Sequence, residues 1–114
     1  MWRDAKFLLD MLLAARDSGE LAASIDKELF ETELVYQLAI AKAVELIGEA
    51  ARRVSEQTRA SHPGIDWVAI VGLRHRIVHD YRNIDLDRLW KIVRDDVPAL
   101  VAELERIVPP EEEV

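Results

Sequence analysis

"DLDRLWKIVRDDVPALVAELERIV" runs from Asp85 to Val108. Its apolar residues Leu86, Trp90, Val93, Val97, Leu100, Leu104 and Ile107 fall at steps that alternate four and three. That spacing puts them on one face of a helix, the face a bundle buries. Asp85 stands where an N-cap belongs, since its carboxylate can accept an orphan backbone N–H of the first turn. Pro98 lies inside the pattern and the pattern continues past it, which predicts a kink rather than a stop. The pair Pro109 and Pro110 closes the segment.

The same period recurs towards the N-terminus. A first helix is expected from about Trp2 to Ser18, with Ala5, Leu8, Leu12 and Ala15 inward and Gly19 as its stop. "SIDKELFE" fits a short helical turn capped by Asp26. The longest helix is expected over Thr32 to Ala60. It carries one stripe of Ile40, Val44, Ile47, Ala51 and Val54, and a second of Ala39, Ala43, Leu46 and Ala50. Two adjacent stripes imply more than one packing neighbour. Gly48 lies beside the polar seam of Glu45, Glu49, Arg52 and Glu56, where the lack of a Cβ would allow a close backbone approach. "HPG" at 62–64 ends the helix, and Asp66 caps a third one that runs towards His79. No strand pattern, repeat or linker interrupts the chain. The prediction is an all-α fold, an up-and-down bundle of four main helices plus a short one. It forms one domain over residues 1–108, followed by an acidic tail, 109–114.

The chain has 114 residues, half of them hydrophobic, and a formal net charge of -7. A core is affordable at this length, and a second copy would help bury apolar surface. There is no cysteine, which excludes disulfide and thiolate chemistry and suits a cytoplasmic location. Arg3, Asp4, Lys6 and Asp10 within the first ten residues argue against a signal peptide, and no apolar run reaches membrane-spanning length. The net charge argues against indiscriminate nucleic-acid binding. Between Arg52 and Arg82, however, six arginines face only Glu56, Asp66 and Asp80. A basic middle inside an acidic chain points to an anionic ligand.

That middle is densest at "VGLRHRIVHDYRN", Val71 to Asn83. On an unbroken helix Trp67, Val71, Arg74, Val78 and Tyr81 share a face, so Arg74 interrupts an apolar stripe. A charge there needs a partner or an anion. A structural ion pair to Glu45 or Glu49 is the plain alternative. His75 and His79 have the i, i+4 spacing of metal ligands, but no third ligand is signalled, so no metal is expected. Arg76 and Asp80 have the spacing of a surface ion pair. Arg74 and His79 lie roughly 140° apart on an ideal helix, too far round to face one ligand. Either the helix ends near His79, or two copies of the stretch face each other across a dimer. RNA cleavage without a metal needs a base, an acid and a cation on the phosphorane. A dimer would supply paired His79 and paired Arg74.

"RHRIVHDY", with "ELIGEAARRVSEQTRASHPGIDW" before it and "DLDRLWKIVRDDVPAL" after it, resembles the HepT-like group of HEPN-domain proteins over essentially the whole chain. Arg74, His79 and Tyr81 occupy the motif of Arg, four residues, His, one residue, Tyr. The resemblance implies a homodimeric helical ribonuclease toxin of tRNA or mRNA, metal-independent and without a cofactor, with Arg74 and His79 catalytic at the dimer interface. Its implied partner is a minimal nucleotidyltransferase antitoxin that attaches AMP to Tyr81. Arg76 and Arg82 are candidate RNA contacts. The alternative is a non-catalytic helical module that docks a nucleotidyltransferase or binds a nucleotide.

Overall fold

A computed structural model describes residues 3–78 and 83–109. The described residues form helices α1 (Ala5–Ala23), α2 (Lys27–Thr32), α3 (Leu34–Arg52), α4 (Glu56–Ser61), α5 (Trp67–Val71), α6 (Leu73–Ile77), α7 (Leu86–Lys91) and α8 (Val97–Ile107). A π-helical turn, Ile92–Asp96, joins α7 to α8. The fold is all-α; among the described residues the only β pairing is an isolated antiparallel bridge between Val78 and Ile84.

α1 lies between α3 and α8, and α5 and α6 pack on the other flank of α3. Leu8, Met11, Leu12 and Ala15 of α1 meet Ile40, Val44, Ile47 and Ala51 of α3 and Val97 and Leu104 of α8 in one buried core. Removing each Leu or Ile side chain from water contributes about 1.5–3 kcal/mol. Phe30 of the short α2 is fully buried, and its ring lies 5.0 Å from that of Trp90. The Arg94 guanidinium covers the Trp90 ring at 5.3 Å and donates to the Ala22 carbonyl at 3.3 Å. This ties the end of α1 to α7 and the π-helical turn after it.

The expected caps form. Asp26 accepts from the Leu29 N–H at 2.8 Å, Asp66 from Ala69 at 3.1 Å and Asp85 from Arg88 at 3.0 Å. The helix runs through Pro98 as expected, because the turn before it widens: the Val97 N–H bonds to the Ile92 carbonyl, five residues back.

Several boundaries differ from expectation. α1 does not stop at Gly19 but continues to Ala23, with Gly19 packed near Val97. No described residue has a positive φ, so no glycine here serves as a left-handed cap. The long helix starts at Leu34 rather than Thr32, ends at Arg52, and resumes as α4 after Ser55. The reason is a side-chain cluster. The Asp4 carboxylate, buried, accepts from the Ser55 N–H at 3.2 Å, from the Ser55 hydroxyl at 2.6 Å and from the Thr58 hydroxyl. The Ser55 hydroxyl oxygen also accepts from the Thr58 N–H at 3.3 Å and so caps α4. Arg59 closes the other side of the break, donating to the carbonyls of Ala51, Arg52 and Val54 at 3.2, 2.9 and 3.0 Å. The third helix is also split, at Gly72, and ends at Ile77 rather than His79. Trp2, where the first helix was expected to begin, and residues 110–114 of the acidic tail lie outside the described residues.

Candidate functional site

The stretch from Gly72 to Asp85 is built by two backbone events. At Gly72 the helix restarts, so the inward residues of α6 are Leu73 and Ile77. Arg74 therefore does not interrupt a buried stripe: it and His75 are exposed, while Val71 and Val78 are half-buried. The ion pair from Arg74 to Glu45 or Glu49 is absent as well. Glu49 reaches instead towards Arg53 at 3.9 Å and Arg52 at 4.0 Å, and Arg74 has no ion pair among the described residues.

The second event lies just beyond. Val78 is extended, its bridge partner is Ile84, and the Asp85 N–H donates to the Ile77 carbonyl at 2.6 Å. These bonds form a neck that holds Val78 and Ile84 side by side. His79, Asp80, Tyr81 and Arg82 fall between them in the sequence and lie outside the described residues. The expected Arg76–Asp80 pair and the His75–His79 spacing fall there too. What the neck does establish is that α6 stops two residues before His79. The ideal-helix angle between Arg74 and His79 thus no longer applies, which is the first of the two resolutions anticipated from the sequence.

The six arginines of the basic middle divide into roles. Arg59 is consumed in capping α3. Arg52 and Arg53 lean on Glu49 in exposed pairs near the distance limit, an arrangement worth little. Arg76 is half-buried and lines a cavity of about 340 Å³ between α5–α6 and α8, floored by Ile47, Ile70 and Leu73. Asp66, Asp95, Asp96 and Glu103 also line it, so its potential repels phosphate. Of the described arginines in this middle, Arg74 is exposed with its fork of donors unspent, which leaves it open to an anion.

No group of three or more potential metal ligands occurs among the described residues, and none of their helices is long and apolar enough to cross a membrane. What pattern reading missed was the buried Asp4–Ser55–Thr58 cluster. Burial pushes the Asp4 carboxyl up, but the donors from Ser55 and Thr58, with the nearby Arg3 charge, outweigh it and hold its pKa below the usual carboxylate value.

The described site is thus an all-α body with an exposed, unpaired Arg74 on a helix that ends two residues before His79 in the sequence. The comparison with known proteins is specific: residues 11–107 match the family described as ribonuclease HepT-like, and the chain belongs to that family. A Methanocaldococcus jannaschii protein named "Putative RNase MJ1380" is 40% identical, over 90% of this chain and 95% of its own. "Probable ribonuclease HepT" of Thermococcus cleftensis is 31% identical, over 89% of this chain and 92% of its own. No solved structure matches the chain significantly.

Proposed function

We propose that the protein is a homodimeric endoribonuclease toxin that cleaves tRNA or mRNA in the cytoplasm without a metal and is silenced by adenylylation. The observation that carries the reading is the exposed, unpaired Arg74, placed before a helix end that falls two residues short of His79. One His79 takes the proton of a 2′-hydroxyl, whose oxygen attacks the adjacent phosphorus. Its two-fold mate returns a proton to the departing 5′-oxygen, which leaves a 2′,3′-cyclic phosphate and a 5′-hydroxyl. Arg74 binds the scissile phosphate and stabilises the charge that grows on the phosphorane. Arg82 contacts RNA beside it, and Arg76 does so only from outside the acidic cavity that it lines. The antitoxin is a minimal nucleotidyltransferase. Under it the Tyr81 phenolic oxygen attacks the α-phosphorus of a nucleoside triphosphate, pyrophosphate leaves, and the AMP adduct blocks the site.

The test is RNA cleavage and growth inhibition by Arg74→Ala and His79→Ala. Both variants are expected to lose both activities; full activity in both would end the reading. Intact-mass measurement after co-expression with a nucleotidyltransferase encoded beside the gene should show one adenylyl group per chain, absent in Tyr81→Phe.

A further inference from the structure

The outward face of α3 carries most of the exposed large apolar residues among the described ones. Val35, Leu38 and Leu46 stand on it at 72%, 52% and 45% exposure. Leu13 of α1, also exposed, borders the same shallow groove as Leu46, so the apolar strip crosses from α3 onto α1. A single chain gains nothing by showing this surface to water. The strip is also charged in a patterned way. Lys42 and Glu49 lie on its midline, seven residues apart, which is two turns or about 10.5 Å along the axis. Among the described residues Lys42 and Glu45 have no ion pair, and Glu49 has only its long contacts to Arg52 and Arg53.

This pattern is self-complementary in one orientation only. Two parallel copies of α3 would set Lys42 against Lys42 and Glu49 against Glu49. Two antiparallel copies, related by a two-fold axis passing between Glu45 and Leu46, exchange the positions 42 and 49. We propose that a second copy of this chain docks antiparallel on the outer face of α3. Lys42 of each subunit then meets Glu49 of the partner subunit, and the two Leu46 side chains flank the axis. Gly48, about 100° round α3 from Glu49, marks the flank on which α5 packs, so α5 and α6 sit on the side of α3 next to the proposed seam rather than across it. The inference rests on the two-chain reading of the site and adds the surface and the residues that bring the chains together.

The experiment measures mass by sedimentation across a dilution series, and RNA cleavage on the same samples. Circular dichroism confirms folding, which substitutions on an exposed face leave intact. Wild type is expected as a dimer. Leu46→Asp is expected to run as a monomer, with cleavage reduced at least tenfold. Lys42→Glu is expected to weaken the dimer at least tenfold, and Lys42→Glu combined with Glu49→Lys to restore it, since the swap rebuilds both pairs. Dimers of unchanged affinity in Leu46→Asp, or no rescue by the swap, would overturn the seam while leaving the two-chain site standing. Dissociation by Val35→Asp but not by Leu46→Asp would equally overturn it. A monomeric Leu46→Asp that cleaves RNA at the wild-type rate would confirm the seam and refute the two-chain site.

Discussion

Gly48 sets how closely α5 can approach α3: a Cβ built there would sit 2.7 Å from the backbone carbonyl oxygen of Ile70. A backbone atom cannot swing aside as a side chain can. Gly48→Ala should therefore cost about 1–3 kcal/mol, the penalty of overpacking, read as a lower midpoint in urea. This position was legible in the sequence, because a glycine on a mid-helix seam has few other uses. Arg74 was legible as a special residue but not as an exposed one. The stretch contains two apolar stripes, and the one through Val71 and Val78 assumes an unbroken helix. Gly72 breaks it, and Trp67, Leu73 and Ile77 are the buried set. Because Arg74 is exposed and unpaired, Arg74→Ala should shift unfolding by less than about 0.5 kcal/mol. It should nevertheless slow RNA cleavage by roughly 10²-fold or more, as loss of a charge-stabilising donor does. Cleavage kinetics and thermal melting on one preparation separate the two effects.

At the scale of elements, helix existence and N-caps could be read from the chain, whereas the breaks could not. Asp26, Asp66 and Asp85 act through residues three positions on, a local relation that sequence displays. The break between α3 and α4 is made by Asp4, 51 residues before Ser55, and no periodicity records such a contact. The apolar stripe even continues through Val54, which is buried although it lies past the helix end. The break has its own energetics. Ser55→Ala removes the α4 cap and a donor to Asp4 together, and should cost about 1–2 kcal/mol. Arg59→Ala should cost about 1 kcal/mol by releasing the three carbonyls at the end of α3. Protection of the amides of α4 from hydrogen exchange should fall in both variants. The π turn before Pro98 is likewise a tertiary solution to a local problem: the sequence announces the proline, and the packing of Val93 and Val97 keeps the helix going.

For the whole molecule, the buried Asp4 couples folding to acidity. Its pKa is depressed in the folded state, so its contribution is fully present above the ordinary carboxylate value of 3.8 and is lost as pH falls through the folded value. Asp4→Asn should therefore lower stability at neutral pH and flatten the acid limb of the stability curve, as measured by denaturation from pH 7 down to pH 2. The fold class and family could be recognised from the chain as a whole, since helical period and motif run through nearly all of it. The neck at Val78, Ile84 and Asp85 carries a different kind of consequence. It ties the end of α6 to the start of α7 through backbone contacts on either side of residues 79–82. Folding thus constrains the backbone at Val78, Ile84 and Asp85, while the proposed chemistry draws on the exposed Arg74 side chain and the segment that follows. A lineage could exchange Arg74, whose side chain has no partner among the described residues, and cease to cut while inheriting the same stable body.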